Sequence, residues 1–153
     1  MVEIITDPRE VRKIVQQHFF GKAKTKNRYH AGRAPDLGDV WFRSGWERNY
    51  ARFLQLQKSR GLIVDWQYEP HRFYFEGYKR NPHSYLPDFK VWKTKCEYEW
   101  HEVKGYQKKI GMTALKRMAL HYPNERIVLI DAPAYQAIRR QVSVLIPYWE
   151  GER

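Results

Sequence analysis

The sequence predicts an α/β domain in which a mixed β-sheet is flanked by helices. Three observations predict it. Apolar residues recur at helical spacing in capped stretches, aromatic and β-branched runs lie between them, and Ile127-Val128-Leu129-Ile130 is a continuous apolar run of the kind a strand covered on both faces carries. The 153 residues suit one compact domain, read as a single unit over 1–153 with a helix at 8–19 and a basic loop at 21–40 ahead of a core at 41–147. At 42% hydrophobic residues, the chain can build a core without a disulfide or a structural metal.

The elements follow in order. Asp7-Pro8-Arg9-Glu10 reads as a helix start, with Asp7 as cap, Pro8 in the first helical position and Glu10 closing a capping box; Val11, Ile14, Val15 and Phe19 then form one apolar stripe over 8–19. Residues 21–40 have no period and read as an exposed loop carrying Lys22, Lys24, Lys26, Arg28 and Arg33, either a solvated linker or a segment that orders on phosphates. The clearest helix spans 44–60: Ser44 caps it, Glu47 stands three residues on, Trp46, Tyr50, Phe53 and Leu54 keep the helical period, and Gly61 stops it. Residues 63–69 and 71–75 read as short strands broken by Pro70, and 77–83 as a polar turn. Residues 84–93 and 98–104 read as two antiparallel strands. A helix over 113–122, the strand 127–130, a short helix over 134–140 and a last strand over 142–146 complete the chain.

Charge narrows the partners. Lys and Arg number 28 against 17 Asp and Glu, a net charge of +11, which favours a polyanion and makes nucleic acid the leading partner. No amphipathic helix pairs a clean basic face with a bulky apolar one, and no apolar run reaches the roughly 20 residues a membrane helix needs, so a membrane partner is not expected. Cys96 is the only cysteine, which excludes an intrachain disulfide and a cysteine-based zinc site and suits a reducing, cytoplasmic setting. The N-terminus turns acidic and proline-containing too early for a secretory signal. The histidines, His71, His83, His101 and His121 among them, show no metal-ligand spacing.

The stretch that carries chemistry is Pro87-Asp88 followed by Glu102-Val103-Lys104. On a strand, Glu102 and Lys104 share one face and Val103 points to the other, and an antiparallel neighbour brings Asp88 to the same place. Phosphodiester hydrolysis asks for this combination: carboxylates to hold a hard dication, which takes oxygen ligands, and a cation to support developing charge. Asp88 and Glu102 supply the carboxylates, the Val103 carbonyl can supply another oxygen, and Lys104 gives electrostatic help. For each residue there is a plainer reading: Asp88 as a turn aspartate after Pro87, Glu102 and Lys104 as an exposed ion pair of little energetic value.

These residues resemble a known signature. Pro87-Asp88, then Glu102-Val103-Lys104 with the lead-in Tyr98-Glu99-Trp100-His101, looks like that of the PD-(D/E)xK nucleases. Phe42-Arg43-Ser44-Gly45-Trp46-Glu47-Arg48 resembles the opening helix of archaeal-type and phage endonuclease I-type Holliday junction resolvases. The resemblance runs from about Trp41 to Asp131. It departs at the long aromatic segment between Trp66 and Tyr85, which is closer to the phage-type relatives, and the basic N-terminal forty residues fall outside it. The resemblance implies a restriction-endonuclease-like core and Mg²⁺, with Mn²⁺ as substitute, held by Glu47, Asp88 and Glu102 with Lys104 completing the site. It also implies a junction-resolving DNA endonuclease, acting as a homodimer because a four-way junction has near two-fold symmetry. Besides the loop cations, Arg43, Lys108, Lys109 and Lys116 are candidate phosphate contacts. Locally, Glu47 also completes a capping box with Ser44, so cap and metal ligand both remain open. A nuclease with another DNA target, or a non-catalytic DNA-binding protein on the same fold, are the alternatives.

Overall fold

The computed structural model describes residues 31–104, 109–146, 148 and 149, with Lys109 described by its backbone alone. The helix expected at 8–19 and the basic stretch 21–30 lie outside the described residues. The chain divides into two compact units, Met1–Leu62 with Pro133–Arg153, and Ile63–Ala132.

The first unit begins with two short antiparallel strands, β1 (Gly32–Ala34) and β2 (Val40–Phe42), joined through a 3-10 turn at Pro35–Leu37. The expected loop over 21–40 is therefore structured in its described part: Pro35 starts the turn and Gly38 ends it in the left-handed conformation that glycine adopts without strain. Helix α1 (Gly45–Ser59) follows close to its expected bounds. Tyr50, Ala51 and Leu54 are buried along it.

Arg52 is the polar centre of this unit. Its guanidinium donates to both oxygens of Asp36 (2.8 and 2.9 Å), to Asn49 Oδ1 (3.2 Å) and to the Tyr148 carbonyl (2.8 Å). Burial pushes the Asp36 carboxyl up, but the bond and charge of Arg52 outweigh it and hold the group below its ordinary value. Tyr135 stacks on Trp46 at 4.1 Å between ring centroids and accepts a hydrogen bond from Asn49 at 3.0 Å.

The second unit holds the main sheet, ordered β3-β6-β7-β8 from β3 (Asp65–Tyr68), β6 (Phe89–Trp92), β7 (Tyr98–Val103) and β8 (Ile127–Ile130). The first three strands pair antiparallel and β7 pairs β8 in parallel, so the sheet is mixed, as expected. Two shorter strands, β4 (Phe73–Tyr74) and β5 (Ser84–Tyr85), form their own antiparallel pair. The expected strand over 84–93 is thus two strands, interrupted at Leu86-Pro87; proline has no N–H for the ladder and restricts the residue before it. Helix α2 (Lys109–His121) crosses from β7 to β8 and starts four residues earlier than expected. Phe73, Phe75, Tyr85, Trp100, Ala114 and Met118 form the core between hairpin, sheet and helix.

Helix α3 (Ala132–Val142) replaces both the short helix over 134–140 and the start of the strand expected over 142–146. Val142-Ser143-Val144-Leu145-Ile146 has a strand's composition. Its amides instead close turns, Ser143 onto the Arg139 carbonyl and both Leu145 and Ile146 onto that of Val142, and Leu145 and Ile146 are buried. Packing of a few large apolar side chains overrides propensity here.

One buried cluster sets an acid limit. Glu99 lies 2.9 Å from His101 Nε2, 3.3 Å from Lys93 and 3.6 Å from Arg126. The hydrogen bond from His101, with the charge of Lys93, holds the Glu99 carboxyl down to about 2 from 4.5, against the opposing effect of burial. Burial pushes the His101 imidazole below its usual value of 6.5, although Glu99 pulls the other way. A depressed carboxyl pKa stabilises fully above the unfolded value and is lost as pH falls through the folded one. The Glu99 contribution is therefore expected to vanish between pH 4.5 and about 2. Urea midpoints of Glu99→Gln measured through that window should lose less with falling pH than those of the unsubstituted chain.

Candidate active site

Strand β7 presents Tyr98, Trp100 and Glu102 on one face and Glu99, His101 and Val103 on the other, with Lys104 continuing the first face. Pairing with β6 sets Phe89 opposite His101, so one position further Asp88 stands opposite Glu102. Both carboxylates are buried, Asp88 at 3% exposure and Glu102 at 4%, where a charge without compensation is costly.

The compensation is visible. Asp88 Oδ2 accepts the Val103 backbone N–H at 2.7 Å, which ties the carboxylate across the strand pair. Glu102 Oε1 meets the Lys104 ammonium, and Glu102 Oε2 accepts the Tyr85 hydroxyl at 2.9 Å. Lys104 is half-buried, and the first turn of α2 runs beside it: a side chain at Gly111 would touch its Cε at 3.6 Å. Burial, and then the charges of Glu102 and Asp88 with the bond to Glu102, push the Tyr85 phenol far above its usual value, so it remains a donor.

Asp88, Glu102, Val103 and Lys104 are therefore brought together as the spacing predicts, and the Val103 backbone N–H donates to Asp88. Tyr85 was not anticipated. It lies three residues before Asp88 in an aromatic stretch where nothing distinguishes it from a core ring. No family model, no curated protein and no solved structure matches the chain.

Among the described residues no group of three or more His, Cys, Asp or Glu side chains is arranged around a metal position. The donor set at Asp88 and Glu102 still fits Mg²⁺, which takes one or two carboxylates and keeps water or phosphate oxygens for the rest of its octahedron. It does not fit a structural zinc, which needs a closed set of four protein ligands. Each carboxylate oxygen has two acceptor positions, so the bonds to Tyr85 and Lys104 do not exhaust Glu102.

Glu47 belongs to the first unit. Ser44 Oγ accepts the Glu47 backbone N–H at 3.1 Å and donates to Glu47 Oε1 at 2.9 Å, while Glu47 Oε2 accepts the Arg43 backbone N–H at 3.2 Å. The Ser44 cap is formed, but the Glu47 carboxylate turns to the Ser44 hydroxyl and the Arg43 amide where a capping box would use the Ser44 amide. Glu47→Ala is expected to cost about 1 kcal/mol of stability as a lost cap. Glu47→Gln keeps an oxygen for the cap. A chain that carries it at unchanged melting temperature, yet has lost metal-dependent cleavage, would assign Glu47 to the metal; unchanged cleavage would leave it a cap.

Arg33 pairs with Asp39 at 2.9 Å, both exposed, and Arg43 is exposed with its Nε 3.9 Å from Glu47. Lys116 is exposed on α2. Lys22, Lys24, Lys26, Arg28 and Lys108 lie outside the described residues, as does the side chain of Lys109.

Proposed function

We propose that this chain is a Mg²⁺-dependent DNA endonuclease with a restriction-endonuclease-like core, acting as a homodimer on four-way junctions. The observation that carries the reading is the buried pair Asp88 and Glu102, opposed across β6 and β7 with the Lys104 ammonium on Glu102. Two buried acids beside one lysine are an expensive arrangement for stability alone, and such arrangements cluster at functional sites.

Asp88 and Glu102 would hold the metal, with Mn²⁺ as substitute. Bound there, it supplies Lewis-acid polarisation of a phosphate oxygen and a more acidic water. The chain's own groups do the rest. The Val103 amide orients Asp88, Lys104 brings a positive donor beside Glu102 to offset charge developing on the phosphoryl oxygens, and burial of the pair strengthens each of these interactions. The net charge of +11 supports binding to the phosphate backbone, with little base reading and a steep salt dependence. No described helix is long and apolar enough to cross a membrane.

Cleavage of a synthetic four-way junction beside a matched linear duplex, each with Mg²⁺ and with EDTA, tests the reading. Paired symmetric nicks on the junction alone, absent with EDTA, support it in full. Equal nicking of both substrates keeps the nuclease and removes the junction preference. Tight binding without any nicking makes the cluster a structural ion network in a DNA-binding protein.

A further inference from the structure

The hairpin that precedes the main strands ends at the candidate site. Its strand β5 closes on Tyr85, which is 6% exposed and packed in the core with Phe73, Phe75 and Trp100. The hydroxyl does not reach solvent or a backbone carbonyl for its bond. It donates to Glu102 Oε2, across seventeen residues of chain, at 2.9 Å. Glu102 Oε1 is meanwhile held by Lys104. A ring locked by packing thus grips one oxygen of the carboxylate, and a partly exposed lysine grips the other.

We infer that Tyr85 is a positioning residue that presents Glu102 to the metal through one oxygen and so sets which cation the site accepts. The inference rests on the nuclease reading. With Oε2 anchored by Tyr85, the carboxylate meets the metal through Oε1, at the acceptor position that Lys104 does not use, and such one-oxygen binding suits the small, strictly octahedral Mg²⁺. A carboxylate free to turn can offer both oxygens, which suits Ca²⁺ with its higher coordination number and longer bonds. Groups that orient a metal ligand are worth about 10–100-fold in metal affinity.

Tyr85→Phe removes the hydroxyl and keeps the ring, so the core packing is retained. In the full-length chain, calorimetric titration with Mg²⁺ alone and with Ca²⁺ alone, without DNA, is expected to show Mg²⁺ affinity lowered about ten-fold and Ca²⁺ affinity lowered less or raised. On DNA, the Mg²⁺ concentration for half-maximal cleavage should rise by a similar factor, while kcat at saturating Mg²⁺ changes little. A purely structural role would lower the melting temperature and leave the Mg²⁺ to Ca²⁺ ratio where it was, and that result overturns the inference. If Tyr85→Phe folds poorly, Tyr85→Met provides the second measurement. Its flexible apolar side chain fills the same core without a hydroxyl, and it should shift the same ratio in the same direction; an unchanged ratio again overturns the inference. An unsubstituted chain that binds no Mg²⁺ and cuts no DNA refutes the nuclease reading itself, whereas a chain that cuts normally with an unaltered ratio in Tyr85→Phe refutes only the role of Tyr85.

Discussion

Asp88→Asn is expected to abolish Mg²⁺-dependent cleavage while making the metal-free protein more stable. The carboxamide keeps an oxygen at the place where Asp88 accepts the Val103 N–H, so the tie between β6 and β7 persists. What disappears is a buried negative charge opposite Glu102. A metal contributes several kcal/mol of transition-state stabilisation, so losing its hold corresponds to roughly a thousand-fold in rate. Without metal the two acids repel, and removing one relieves that repulsion. Melting curves in EDTA and single-turnover cleavage of the junction check both halves. A variant that loses stability and rate together would mean that Asp88 serves the fold; one that gains stability and loses rate marks a site whose arrangement was kept for function.

The largest loss of stability away from the candidate site is expected at Asp36. Arg52 is 6% exposed, and both oxygens of Asp36 receive its guanidinium. Asp36 itself is exposed, so its removal strands only the buried Arg52 guanidinium, whereas breaking a fully buried pair costs about 3–5 kcal/mol. Water reaches the vacated position, and the Tyr148 carbonyl and Asn49 still accept from Arg52, so the cost of Asp36→Ala should fall below that range. Denaturant unfolding at neutral pH measures it. Because Arg52 holds the Asp36 carboxyl below 3.8, the difference between the two chains should be complete above that pH and shrink as acid protonates the carboxyl in the unsubstituted protein. Asp36→Ala combined with Arg52→Leu should recover part of the loss, since the stranded charge is gone as well.

Legibility in the sequence followed the range of the forces involved. The cap at Ser44 and Glu47 involves groups three residues apart, and the structure forms it. The sharing of a face by Glu102 and Lys104 follows from strand alternation alone, and the antiparallel turn between Trp92 and Tyr98 puts Asp88 in register. Interactions between distant elements left no comparable mark. Nothing local shows that the Tyr85 hydroxyl meets Glu102, because any of the rings between Trp66 and Tyr85 has the same pattern. Nor does a stretch such as Val142–Ile146 reveal that it turns back on the end of α3, since its composition suits a strand and only tertiary packing decides otherwise. Pro87 is intermediate. Its place beside Asp88 is plain in the sequence, whereas the break it makes in the ladder shows only once the strands are paired.

The polar groups of the candidate site come from one short run of chain, β5 to Lys104 just past β7, and the strands beside Asp88 and Glu102 are sequence neighbours joined by a tight turn in which Lys93 and Thr94 both donate to the Glu97 carbonyl. Bringing them together closes only a small loop, which costs little entropy and happens early when a chain folds. Strand β8 must wait for α2 to cross before it can pair in parallel with β7. The meeting of Asp88 and Glu102 thus depends on a local closure of the chain, whereas β8 joins the same strand through a longer one.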